Sequence, residues 1–589
     1  MRFSNSFSAY AWRTFGLGLG LVLLFAIACG ASATATPRPT SAPAATAVPA
    51  AATAVPAAAT AVPVPEATTA PPAAGTPATG KVILMLPALG NESFDAPLAN
   101  GAVLSYNRII GHELIARDEN SSLIPGIASE WSISDDGLTW TWKIAKGYKF
   151  HNGQEITADD VYWSFMHMFG HDDTGGALDI ATAGGVQRYA KTTESMSSTS
   201  DSFSWTTTHV ESGLGASMSA AGPSTYPVLP KRDVLWSNES IAEFDKNPIG
   251  AGPMSLSNHI LADRMEFERF DDFFYQPANG FPEDRRMKVA ELTLLLVPEE
   301  ATRNAAIQAG DADIIVTSME GRKQIEDGGG RMVFGREGNY VMVYGVGCWN
   351  PEFPCTKKAV RQALAYSLDK ELMRDKLWGA EVFEVKGWSI VTPSSLGYSE
   401  AADPYPYDPE KARALMAEAG YPNGDGFETL IVNTWVSASL PFMPESAQLA
   451  ASMWEKELGI DVEVRIGDEA DTKKKVLTEE LYGQYLWRDN ETRMDTASGI
   501  NYWLGDKKLD SRLHENDEIF KMILDASAVI DPVAREAAYV DVVLRQAEEQ
   551  YQISVGYVNI PWGVGPNVAE WTPFSLALYP SALHTVVMK

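Results

Sequence analysis

The chain has 589 residues, too many for one simple core, and its 45% hydrophobic and 21% charged content is that of an ordinary globular protein. A formal net charge of −29 argues against nucleic acid, which needs a basic surface, and against adsorption to anionic lipid heads. Three cysteines fit either redox compartment, so their positions must decide.

Residues 1–29 read as a targeting segment. Arg2 and Arg13 precede or flank the apolar run Phe15 to Ala28. About 14 apolar residues make ~20 Å of helix, short of the ~30 Å hydrocarbon core, which favours a signal peptide over a transmembrane anchor. The run ends Ala26-Ile27-Ala28-Cys29-Gly30, which resembles a bacterial lipoprotein cleavage box, with Ala26 where Leu is usual. The resemblance implies lipidation of Cys29; the alternative is ordinary secretory cleavage with Cys29 incidental. Residues 30–80 are almost only Ala, Thr, Pro, Val and Ser, with Thr-Ala-Val-Pro recurring from Thr46, Thr53 and Thr60. Proline forbids a helix and the composition offers no core, so this stretch reads as a disordered, extended tether. About 50 residues of polyproline II would reach at most ~150 Å.

The folded part starts near Lys81. Val82 to Leu86 is a continuous apolar run, the mark of a strand buried on both faces. Tyr106 to Ala116 reads as a helix and Pro125 to Trp131 as a helical turn. Ser134-Asp135-Asp136-Gly137 is a turn, followed by a strand with Leu138, Trp140, Trp142 and Ile144 on one face. After the Asn152-Gly153 turn, Thr157 and Asp160 form a capping-box pattern, opening a helix with Val161, Phe165 and Phe169 on one side. Phe203 to Thr208 alternates as a strand. Strands are also predicted at Met265 to Phe270, Glu291 to Val297 and Asp311 to Val316, the last two joined by a helix that Gly310 stops; strand–helix–strand suggests parallel pairing. Further on, strands are predicted at Tyr340 to Gly345, Phe427 to Asn433, Ile460 to Ile466 and Ile553 to Tyr557. Helices are predicted at Lys357 to Leu368, from Asp408-Pro409 to Gly420, at Ser446 to Leu458, and from Asp531-Pro532 to about Tyr551.

The ordered run Pro-Gly-x-Ala-x-x-Trp from Pro125, Asp-Asp-Gly-Leu-Thr-Trp-Thr-Trp from Asp135, and Lys-Phe-His-Asn-Gly with Thr-Ala-Asp-Asp-Val up to Val161 resembles the signature of the peptide/nickel/oligosaccharide-binding family (family 5, cluster C) of bacterial ABC-transporter solute-binding lipoproteins. Val228-Leu229-Pro230-Lys231, the Pro248 to Met254 turn, Val360 to Asp369 and Tyr407 to Tyr421 extend the resemblance, with gaps, from about Lys81 to the C-terminus. In the turn, Ala251 and Met254 replace the family's Thr and Tyr. The resemblance implies an α/β fold of the type II periplasmic-binding-protein kind, two lobes with a hinge and an extra subdomain in the first lobe. Its layout would be lobe I at 81–331, including the subdomain at about 113–235, lobe II at 332–557, and a return to lobe I at 558–589.

The implied function is binding rather than catalysis. An extracytoplasmic, lipid-anchored, monomeric component of an ABC importer would capture a peptide-like solute by hinge closure and deliver it to membrane permease subunits, without a cofactor or nucleic-acid partner. In peptide-binding relatives a Trp followed shortly by Asp lines the cleft and pairs with the ligand's α-ammonium. Trp487 and Asp489 match this, with the spacing one residue shorter and with Gln484 and Tyr485 in place of basic residues. The alternative for Asp489 is a surface salt bridge with Arg488 or Arg493. Tyr502, Trp503 and Tyr557 are candidate apolar walls of the ligand site. An oligosaccharide is the second ligand class. A surface sensor or hydrolase is the alternative of a different kind, although the sequence carries no Walker loop, G-x-S-x-G elbow or dinucleotide fingerprint. His167 and His171 have metal-chelating helical spacing, but Gly170 is expected to end the helix between them, so no metal site is assigned. Cys348 and Cys355 suit a disulfide in an exported protein, with two reduced thiols as the alternative.

Overall fold

The computed structural model describes residues 80–95, 104–117, 123–172, 189–190, 192–219, 227–231, 238–281, 283–348, 350–389, 391–437, 440, 442–491, 496, 516–573 and 582–589. The readings of residues 1–79, Cys29 included, and of Tyr502 and Trp503 lie outside the described residues.

The apolar run forms β1 (Lys81–Leu86), buried along most of its length. The helix expected to reach Ala116 covers only Leu104–Ile110. Its end is taken by the glycine turn: the Gly252 N–H donates to Ile110 O at 2.8 Å, and a Cβ on Gly250 would stand 1.9 Å from that same oxygen. Glycine is required at this turn because backbone meets backbone. The chain then enters a short hairpin of β2 (Ile115–Arg117) and β3 (Leu123–Pro125).

Trp131 lies in a strand rather than in a helical turn. β4 (Ala128–Ile133) pairs antiparallel with β5 (Thr139–Ile144), and Trp131 stands opposite Trp142. The Ser134–Gly137 turn explains the difference. Gly137 takes a φ of 73°, the turn folds β5 back, and the residues before it supply the partner strand. Trp140, Trp142 and Ile144 are buried as the alternation requires. With β6 (Thr193–Ser198) and β7 (Ser202–Thr207) these strands form a sheet of order β4-β5-β7-β6. Helix Ala158–Met168 covers it, with Phe165 stacked on Phe203 at 5.4 Å between centroids. The capping box at its start is complete: Thr157 Oγ1 accepts from the Asp160 N–H, and the Asp160 carboxylate accepts from the Thr157 N–H.

β8 (Met254–Ile260), β9 (Arg264–Arg269), β10 (Glu291–Leu296) and β11 (Ile314–Val316) follow. Helix Glu300–Ala309, closed by a left-handed Gly310, connects the last two. β1 lies between β10 and β11 and is parallel to both. β12 (Arg331–Gly345) is long and largely buried. After it come β13 (Phe383–Glu384), β14 (Leu430–Trp435), β15 (Val462–Gly467), β16 (Tyr485–Glu491) and β17 (Gln552–Val564), the last buried throughout. A separate ribbon joins β18 (Val568–Glu570) to β19 (Val587–Met588). The principal sheet has the order β15-β14-β16-β12-β17-β11-β1-β10-β9-β8, with β13 attached to β17. The helices on the β14 side start and stop where their caps predict. Asp408 and Asp531 cap Pro409–Glu418 and Pro532–Glu549, and a left-handed Gly459 ends Met443–Leu458.

Candidate functional site

β12 and β17 carry the principal sheet from one half to the other. Near its start β12 pairs with the end of β17, from Arg331 opposite Val564 to Gly335 opposite Ile560. From Asn339 onward β12 pairs instead with both β16 and the start of β17. Between Gly335 and Asn339 the register slips, and Glu337 there adopts a left-handed φ of 56°. The parallel strands of the two halves point at this slip from opposite sides. β11 ends at Val316, opposite Trp562, and β16 ends at Glu491, opposite Asn339. Ligands of open α/β sheets bind outside the carboxyl ends of such strands, so the crossover is where a site is expected.

Asp489 stands there, opposite Val341 on β12 and only 8% exposed. Its Oδ2 accepts from Ser437 Oγ at 2.9 Å and from Asn339 Nδ2 at 3.2 Å. Ser437 lies two residues past the carboxyl end of β14. Arg488 turns its Nε to the Asp489 backbone carbonyl, at 2.8 Å, with its guanidinium over the Trp435 ring. Three elements therefore fix one buried carboxylate, which suits it to a charge-assisted contact.

Glu337 is the second carboxylate at the crossover and is also buried. The Thr392 hydroxyl and the Ser394 N–H and hydroxyl donate to it, while its own N–H donates to Asn559 Oδ1 at 2.9 Å. Glu384 accepts from Asn559 Nδ2 at 3.4 Å and is hydrogen-bonded to Tyr557. Burial, with that carboxylate beside it, holds the Tyr557 phenol well above its usual range. Tyr557 thus stands at the crossover, but it is 3% exposed and packs with Tyr340, Trp388 and Trp435 in one cluster. Tyr340 is opposite it across the β12–β17 pair and donates its hydroxyl to Gly387 O at 2.6 Å.

Trp487 lies in the core. Its side chain is fully buried, its indole N–H donates to Ser446 Oγ at 2.8 Å, and its ring meets Trp454 edge-on. It packs in the core beneath helix Met443–Leu458, two residues from Asp489 on the same strand. Tyr502 and Trp503 cannot be placed, as they lie outside the described residues. Cys348 and Cys355 are joined by a disulfide, with Cα atoms 5.2 Å apart. His167 is buried and engages Asp95, Nε2 to Oδ1 at 2.8 Å, with its ring stacked on Trp163. Among the described residues no group of three or more His, Cys, Asp or Glu is placed to hold a metal, and no helix is long and apolar enough to cross a membrane.

Glu337, Asn339, Glu384, Thr392, Ser394, Ser437 and Asn559 were not singled out by the sequence. The one available signal was the polar stretch Arg336 to Asn339 inside an otherwise apolar strand.

The family model for bacterial extracellular solute-binding proteins, family 5, matches residues 122–511. Heme-binding protein A of Haemophilus influenzae is 27% identical over 414 residues, covering 68% of this chain and 69% of its own. The dipeptide-binding protein of Escherichia coli K12 is 24% identical over 430 residues, covering 68% and 70%. The periplasmic oligopeptide-binding protein OppA of Haemophilus influenzae is 24% identical over 517 residues, covering 81% and 87%. Among solved structures, the substrate-binding protein CtaP of Listeria monocytogenes superposes with a TM-score of 0.69 at 20% identity, over 87% of this chain and all of that one. The binding protein DppA of Helicobacter pylori, solved with the peptide STSA, gives 0.68 at 18%, over 87% and 98%. These structures share the fold, a type II periplasmic-binding-protein architecture. The chain belongs to the bacterial extracellular solute-binding proteins of family 5.

Proposed function

We propose that the protein is the solute-binding component of an ABC importer and that it takes a peptide-like solute at the crossover of β12 and β17. The observation that carries this reading is Asp489: a buried carboxylate near the carboxyl end of β16, held by Ser437 just past the end of β14 and by Asn339 of β12. Such a group suits the α-ammonium of a peptide. Relatives named for dipeptides, oligopeptides and glutathione support a peptide class. A lobe at 81–331, to which 558–589 returns, and a lobe at 332–557 are joined through β12 and β17, and they close over the solute by a hinge near the register slip at Gly335–Asn339. Cys29 carries the lipid that holds the protein at the outer face of the membrane, and permease subunits receive the solute.

Native mass spectrometry of the purified protein tests the ligand class. A distribution of bound masses spaced by amino-acid residues is expected. Hexose or pentose spacing would replace the peptide with an oligosaccharide and remove the role of Asp489.

A further inference from the structure

The sheet β4-β5-β7-β6 is joined to the β14 side of the molecule by a contact that the sequence gives no hint of. The Ser212 N–H and hydroxyl both donate to the backbone carbonyl of Ser527, at 3.2 and 2.6 Å, across 315 positions of sequence. Ser527 is the last residue of helix Asp517–Ser527, so its carbonyl is one of those that a helix leaves without an internal partner. Ser212 is therefore a C-terminal cap supplied from a distant segment. Both serines are buried, and the Ser527 hydroxyl is hydrogen-bonded to Tyr539 at 3.0 Å, which ties the acceptor to helix Pro532–Glu549.

The donor side is held as firmly. Trp140 Nε1 donates to Glu211 O at 3.0 Å, and Thr207 Oγ1 donates to His209 O at 2.7 Å. Gly215 lies flat on the Trp140 ring, where a Cβ would stand 2.8 Å from it. Gly137 sits between the segments: a Cβ there would meet Val210 at 2.9 Å and Ile530 at 3.3 Å. The turn Ser134–Gly137 and Trp140, the most distinctive residues of the sequence, thus frame one buried hydrogen-bonded contact.

We infer that Ser212 and Ser527 form a latch between the four-stranded sheet and helix Asp517–Ser527, which must open before these two parts can separate. This goes beyond solute binding and does not depend on which solute is bound. Opening exposes the helix carbonyl and two donors to water. The latch therefore resists separation.

Distance measurement between spin labels tests it without any ligand. Labels go on the exposed Glu194→Cys and Lys521→Cys positions of the full chain, with Cys29→Ser removing the remaining thiol. The parent protein and Ser212→Thr, which keeps the hydroxyl, should give one narrow distance. Ser212→Asp sets a carboxylate against the negative end of the helix, and should add a longer distance or broaden the first. Ser212→Ala, which removes only the hydroxyl, should do so more weakly and covers the case in which the Asp variant does not fold. An unchanged narrow distance in Ser212→Ala and in a folded Ser212→Asp would overturn the latch. A failure of the peptide assignment would leave this readout untouched.

Discussion

His151 shows how one side chain ties the most distinctive stretch of the sequence to a turn about a hundred residues away. Its Nδ1 accepts from the Gly250 N–H at 3.3 Å, so the proton sits on Nε2, which donates to Gly252 O at 3.0 Å. Burial pushes the imidazole down to about 4, from an ordinary 6.5. The folded protein therefore keeps His151 neutral, while the unfolded chain takes up a proton below pH 6.5. Stability from this group is complete above pH 6.5 and is lost as pH falls towards 4. Against the variant His151→Asn, the parent should lose an extra ~2–3 kcal/mol of unfolding free energy between pH 7.5 and 4.5, measured by urea titration. Equal losses would show that His151 does not titrate on unfolding. His112 and His584 are also depressed by burial, but they are common to both proteins and cancel. At this scale the sequence was a partial guide. The resemblance to peptide-binding relatives, and not residue chemistry alone, singled out Trp487 and Asp489 together. Only the packing of helix Met443–Leu458 over β16 separates the carboxylate at the strand end from the indole in the core.

Among the elements, those with local causes were legible. Thr157, Asp408 and Asp531 cap their helices as their chemistry requires, and Gly310 and Gly459 end theirs. The errors arose where a partner decided. β4 is a strand because β5 folds back on it, and the first helix ends at Ile110 because Gly252 occupies its last carbonyl. The segment Cys348–Cys355 combines both kinds of cause. Its disulfide lies against Gly345, while Arg361 Nη1 donates to the carbonyls of Cys355 and Thr356 at 2.9 and 2.8 Å. Arg361 is itself anchored by Glu549, Nη2 to Oε2 at 2.9 Å. Replacing both cysteines with serine should lower unfolding free energy by ~2–3 kcal/mol in denaturant titration, the scale of closing so short a loop. An unchanged midpoint would show that Arg361 alone holds the segment.

The whole molecule is organised by what no local pattern reveals. β12 and β17 read as apolar strands, with only the polar stretch Arg336 to Asn339 inside β12 to mark where the pairing changes from one half of the sheet to the other. The family resemblance supplied the two-lobed fold. The crossover, with Glu337, Asn339 and Asn559 meeting at it, follows from register between segments about 220 residues apart. That convergence carries the assignment of the site, and the ammonium contact of Asp489 is its sharpest consequence. The most direct measurement is a calorimetric cycle with one peptide, free and N-acetylated, against the parent protein and Asp489→Asn. Acetylation should cost the parent at least ~2 kcal/mol, about 30-fold in affinity, and should cost Asp489→Asn little. Equal costs in both proteins would contradict the account and move the ammonium, or the solute itself, away from Asp489.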